Sequence, residues 1–189
     1  MPIDTKSQSQ TAPDQATVKL ETSQGDVRLE LNRGWSPHGA DRFYSLVRAG
    51  YYDGAAFHRV IAGFMCQVGI SADPQATAAW GAQPIPDDPE HPGVSNTRGM
   101  LSFAKPSAPN ARTTQFFINF GDNSSLDAMG FTPFARALDM DVVDRLYSGY
   151  GECGPRGAGP EQRRSKTEGA TYWRANFPKL DYIMRATVV

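Results

Sequence analysis

Phe57-His58-Arg59-Val60-Ile61-Ala62-Gly63-Phe64-Met65-Cys66-Gln67-Val68-Gly69 is the stretch on which the reading of this chain turns. It sets one arginine and one glutamine among apolar and aromatic side chains. The pattern predicts two short strands about an Ala62-Gly63 turn. Side chains alternate between faces along a strand. Phe57, Arg59 and Ile61 therefore share one face of the first strand, and Met65 and Gln67 share one face of the second. A guanidinium is costly to bury without partners. Arg59 must be paired, or must stand at the rim of a site that uses its charge.

Working outward from this segment, the chain reads mainly as strands. Val18 and Leu20 alternate with Lys19 and Glu21, and Val27, Leu29 and Leu31 alternate with Arg28 and Glu30. With the Ser23-Gln24-Gly25-Asp26 turn between them, they predict a hairpin with one face in a core. Ser36-Pro37 has the form of a helix N-cap followed by proline at the first helical position. Phe43, Leu46 and Val47 lie on one face of that helix, and Gly50 ends it. Residues 72–96 carry five prolines and read as loop. Strands are expected at Met100–Ala104, Gln115–Phe120, Phe131–Ala137 and Tyr182–Val188, and a second helix at Met140–Tyr147. Two helices among about eight strands predict a closed eight-stranded antiparallel β-barrel with two capping α-helices. The segment Gly151–Pro178, rich in glycine at its start, reads as a surface excursion with a short helix near Glu161–Arg164.

The bulk numbers narrow the function. With 189 residues, 40% hydrophobic and 21% charged, the chain can bury one sizeable core. A net charge of -1 offers no electrostatic footprint for nucleic acid or an acidic membrane surface. No apolar run is long enough for a transmembrane helix. Residues 1–15 are polar and read as a flexible tail without the apolar stretch of a signal peptide, so a cytoplasmic address is expected. The rest, 16–189, is expected to form one domain. Cys66 and Cys153 have no zinc-site spacing and make no disulfide framework. Neither metal nor cofactor is expected.

Three blocks of sequence resemble the cyclophilins, the barrel-type peptidyl-prolyl cis-trans isomerases. The first is the opening segment from Phe57 to Gln67. The second is Gly99-Met100-Leu101-Ser102-Phe103-Ala104 followed by Gln115-Phe116-Phe117-Ile118, and the third is Leu126-Asp127 with Phe134 beyond it. The resemblance covers roughly Ala16 to Tyr150 in order, plus the last strand.

The chemistry of such an isomerase explains why these residue types belong together. Amide resonance sets a barrier of about 18–20 kcal/mol to rotation. No bond breaks, so no nucleophile or metal is needed. A catalyst need only bind the twisted amide better than either planar form. In the twisted state the prolyl nitrogen is pyramidal and carries a localised lone pair, to which a guanidinium N–H can donate.

The resemblance implies that Arg59 is that donor, with Gln67 holding Arg59 or offering its amide to the substrate backbone. It implies a proline pocket of Phe64, Met65, Phe117 and Leu126. It also implies backbone pairing of an extended peptide near Ala104 and Lys105, with Phe131 as an aromatic wall and His58 beside the arginine. Taken one at a time, each apolar member is as good a core residue, Arg59 as good a structural ion-pair arginine, and His58 a better packed core residue than a catalyst.

The departures concentrate on one side. Ala62 stands where most members have proline, Lys105 where they have asparagine, and Ser125 at the position of the tryptophan in cyclosporin-sensitive members. Weak cyclosporin binding is the implied consequence. The partners implied are proline-containing peptides or unfolded proteins, met by a monomer. A different class of function competes with catalysis: a module that grips proline-containing segments and turns over poorly. A scaffold acting through 151–178 is a third reading.

Overall fold

The computed structural model describes residues 3–189. Eight strands, β1 (Gln15–Thr22), β2 (Gly25–Asn32), β3 (Arg59–Ile61), β4 (Met65–Val68), β5 (Met100–Phe103), β6 (Phe116–Asn119), β7 (Ala135–Ala137) and β8 (Ile183–Val188), form one curled sheet. Its order is β3-β4-β6-β5-β7-β2-β1-β8, with every neighbouring pair antiparallel. The helices are α1 (Thr5–Gln8), α2 (Pro37–Arg48), α3 (Pro74–Gly81), α4 (Met140–Val143), α5 (Gln162–Glu168) and α6 (Ala170–Asn176), with a 3-10 turn at Ser124–Met129.

The sheet is an open half-barrel, which corrects the expected closed barrel. Its end strands β3 and β8 share no ladder. A lone bridge, Ala56 to Tyr182, spans the seam, beside the bond from the Phe57 N–H to the Asp181 carbonyl at 2.9 Å. The cause lies at β3. That strand is three residues long, and Gly151 from the excursion pairs with Val60 there.

Alternation sorts the sheet into two sides. Val60, Cys66, Ile118, Leu101, Ala135 and Leu31 stand opposite one another in a row across β3, β4, β6, β5, β7 and β2, and all lie in the core. The neighbouring row is Arg59, Gln67, Phe117 and Ser102. Because the side-chain period is two, this second row must face away from the first. The functional candidates therefore sit on the outer face of the sheet.

Inside the curl, Phe43 of α2 packs edge-on against Phe116 with ring centroids 5.3 Å apart, and lies 5.0 Å from Phe134. Burying one such ring contributes about 1.5–3 kcal/mol. Proline at its start and Gly50 at φ +67° after its end bound α2 as expected. Its N-terminus is capped differently. Ser36 makes no side-chain cap. Asp88, from a loop 50 residues on, accepts from the His38 and Gly39 N–H groups at 3.0 and 2.9 Å.

Three further expectations are corrected. The loop 72–96 contains α3, because Asp73 caps it and Pro74 starts it rather than breaking it. The second helix shrinks to Met140–Val143. The supposed tail is docked: the Gln10 N–H donates to Ser45 at 2.8 Å, the Ala12 N–H to Asp41 at 2.8 Å, and Ala12 is buried. Met1 and Pro2 lie outside the described residues. The excursion is also docked, through a second apolar cluster in which Tyr172, Trp173 and Leu180 cover Ala56 and Ile70.

Candidate active site

The outer row of the sheet opens onto a cleft of about 970 Å³. Arg59, Gln67, Phe64, Met65, Ala104, Lys105, Phe117, Leu126 and Phe131 all line it. His58 does not. It lies just before β3 and is buried, 1% exposed. Neither of its ring nitrogens has a hydrogen-bond partner, and burial pushes it down to about 4. It is a buried ring that does not reach the cleft surface, which corrects its expected place beside the substrate.

The register of β3, β4 and β6 does the positioning. Arg59 stands opposite Gln67, and Gln67 opposite Phe117. The Arg59 Nη1 donates to the Gln67 Oε1 at 3.0 Å, and the Gln67 Nε2 donates to the Gln115 Oε1 at 2.9 Å. Met65 is one step along the same face, its sulfur 4.0 Å from the Arg59 Nη1. Phe117 and Met65 are almost fully buried, so the floor is firm.

The opposite wall is carried by the 3-10 turn. Phe131 meets Phe117 at 72° with centroids 5.7 Å apart, and the Lys105 Nζ lies 4.8 Å from the Phe131 ring centroid. A buried polar network fixes this wall. Asn96 donates to Asp127 at 2.6 Å and to the Phe131 carbonyl at 2.7 Å, and accepts from Ser102 at 2.7 Å. Asn123 donates to the Phe64 carbonyl at 2.8 Å. Satisfied networks of this kind hold a loop to one geometry. Ser125 is exposed on the same turn.

Sequence reasoning missed the third wall. Glu152, Cys153, Arg156 and Lys166 of the excursion line the same cleft. Glu152 accepts from the Arg59 Nε and Nη2 at 2.7 and 2.8 Å. The Arg59 guanidinium beside it holds the Glu152 carboxyl down at about 2. The partners are 93 residues apart. The one local signal was an acidic residue between glycines, in Gly151-Glu152-Cys153-Gly154. Cys153 is buried, and its thiol is pushed up to about 11. Among the described residues no cluster of His, Cys, Asp or Glu is arranged to hold a metal ion, and no helix is long and apolar enough to cross a membrane.

Residues 17–161 match the family described as cyclophilin type peptidyl-prolyl cis-trans isomerase/CLD. The chain belongs to the cyclophilin family. This cyclophilin is 39% identical over 137 residues to a peptidyl-prolyl cis-trans isomerase of Acinetobacter baylyi, covering 68% of the chain and 70% of the relative. It is 36% identical over 137 residues to peptidyl-prolyl cis-trans isomerase B of Escherichia coli, covering 68% and 82%. A solved cyclophilin type isomerase of Cryptosporidium parvum superposes with a TM-score of 0.66 at 23% identity, over 93% of this chain and 98% of that one. A second structure of it, in the presence of the dipeptide Ala-Pro, gives 0.65 at 24% identity, over 92% and 98%. The likeness to these structures is one of fold.

Proposed function

We propose that this cyclophilin accelerates rotation about X-Pro peptide bonds, acting on proline-containing peptides or unfolded chains as a monomer without cofactor. One observation carries the reading: a cationic N–H donor, fixed by Gln67, stands at the edge of an apolar floor made by Met65, Phe117, Phe64 and Leu126. That floor suits a pyrrolidine ring. The donor suits the lone pair that appears on the prolyl nitrogen only as the amide twists. Such an interaction is stronger in the transition state than in either planar form, which is the condition for catalysis. A donor of this kind is worth about 2.7–4 kcal/mol, or 10²–10³ in rate. The extended peptide would pair with the backbone near Ala104 and Lys105.

Exchange NMR on an Ala-Pro peptide tests the proposal. Cis and trans signals should exchange faster in substoichiometric protein, and an unchanged exchange rate would refute it. The pairing of Arg59 with Glu152 favours a second reading, in which the guanidinium is neutralised and the cleft only grips. That reading predicts peptide chemical-shift changes without faster exchange.

A further inference from the structure

Arg59 carries five N–H groups. Glu152 takes one on Nε and one on Nη2, and Gln67 takes one on Nη1. The other Nη1 N–H meets the Met65 sulfur at 4.0 Å, a weak acceptor, and one N–H on Nη2 remains. A side-on carboxylate pair of this kind fixes the plane of the guanidinium as well as its place.

The loop that delivers Glu152 is built around it. The Cys153 N–H donates to the Glu152 Oε1 at 2.8 Å, so the carboxylate is anchored before it meets the arginine. The Gly159 N–H donates to the Glu152 carbonyl at 2.9 Å, and the Gly157 N–H to the Cys153 carbonyl at 3.1 Å. A Cβ on Gly157 would clash with the Glu152 carbonyl oxygen, and one on Gly159 would lie 2.9 Å from the same oxygen. The loop is tied to β3 by the Gly151–Val60 bridge, and its far end is pinned by Trp173 and Tyr172.

We infer that Glu152 is a positioning residue for the isomerase reaction, delivered by the 151–178 excursion to hold Arg59 side-on in the wall of the cleft with one Nη2 N–H left unspent. The inference rests on the proposed role of Arg59. It gives the excursion a purpose: it completes the site rather than decorating the sheet. The remaining Nη2 N–H lies at the end of the guanidinium away from Cδ. With the plane clamped, it can reach the prolyl nitrogen of a bound peptide. Without the clamp the guanidinium turns about its last bonds, and the fraction correctly aimed falls.

The test is a set of variants in the exchange assay on an Ala-Pro peptide. Glu152→Ala should lower kcat/KM by about ten- to a hundredfold, the cost of misplacing a reacting group, with the loss in kcat and KM within about twofold. Glu152→Gln, which keeps the shape and one acceptor, should lie between parent and Glu152→Ala and guards against a folding defect. In an Arg59→Ala background, Glu152→Ala should change nothing further. The Arg59 Nε–H signal, protected from exchange in the parent, should exchange rapidly in Glu152→Ala. Rates equal to or above the parent in Glu152→Ala, or the same fractional loss with Arg59 already removed, would overturn the inference. If Arg59→Ala itself is silent, the proposed role of Arg59 fails first; if Arg59→Ala is slow and Glu152→Ala is not, the positioning role alone fails.

Discussion

Arg112 and Arg59 each meet a carboxylate from a distant loop, Asp88 at 2.9 Å and Glu152 at 2.7 Å, in settings that differ. The Arg112 and Asp88 side chains are 4% and 1% exposed, whereas those of Arg59 and Glu152 are 23% and 26% exposed. Asp88 also accepts from Ser36, His38 and Gly39. Arg112 also donates to the Pro86 carbonyl at 2.5 Å. That cluster ties the 84–96 loop to the start of α2. Nearly all its hydrogen-bonding capacity is spent internally, apart from the buried Arg112 Nε, which has no partner. Arg59 lines a cleft and keeps an Nη2 N–H unspent and a second N–H only on the weak Met65 sulfur acceptor. The same ion-pair chemistry makes a joint in one place and an aimed donor in the other.

The contrast sets the largest expected effect. Asp88→Ala leaves Arg112 charged and buried without its partner, and should cost about 3–5 kcal/mol of stability in urea denaturation. Its activity per folded molecule should stay near that of the parent. A small stability loss would break the comparison.

Acidification sharpens it next, through His58. Burial pushes this ring down to about 4 from an ordinary 6.5. Between those values the unfolded chain binds a proton that the folded one refuses. Stability from this source is therefore full above about pH 6.5 and falls as pH drops to about 4. At 1.36 kcal/mol per pH unit the loss is about 3 kcal/mol. In His58→Phe the difference in stability between pH 7 and pH 4 should shrink by that amount. An equal acid loss in parent and variant would show that the ring is not the buried neutral group described.

The cleft itself is probed by smaller changes. Leu126→Ala trims the half-buried floor and should raise KM roughly tenfold, or about 1.4 kcal/mol, with kcat little changed. Lys105→Asn should cost no more than about 1 kcal/mol, as expected of a part-exposed cation. Its signature is lost preference for peptides with an acidic residue next to proline, and salt should mimic it in the parent.

How far the sequence carried these regions also differed. The β1–β2 hairpin and the β3–β4 pair were legible because strict alternation leaves one register that buries Val60 and Cys66 while turning Arg59 and Gln67 outward. The outer-face residues followed from that register and from the family resemblance. Tertiary contacts were not legible. The five prolines of 72–96 suggest loop, although Asp73 makes Pro74 a helix start. The N-terminal segment looked like a tail because its anchors, Ser45 and Asp41, lie on another element. Closure of the barrel failed at the Val60–Gly151 bridge, which no local pattern announces. Glu152 was invisible for the same reason: its role is created by a contact across 93 residues.

The central claim is that Arg59 acts on the twisted prolyl amide, and exchange NMR with Arg59→Ala tests it most directly. The pair with Glu152 is partly exposed and so contributes about 0–1 kcal/mol to stability. Loss of Arg59 should therefore shift the melting temperature by no more than about 4 °C. Catalysed exchange of an Ala-Pro peptide should fall about 10²–10³-fold in the same sample. Exchange as fast as in the parent, from a folded Arg59→Ala protein, would contradict the account.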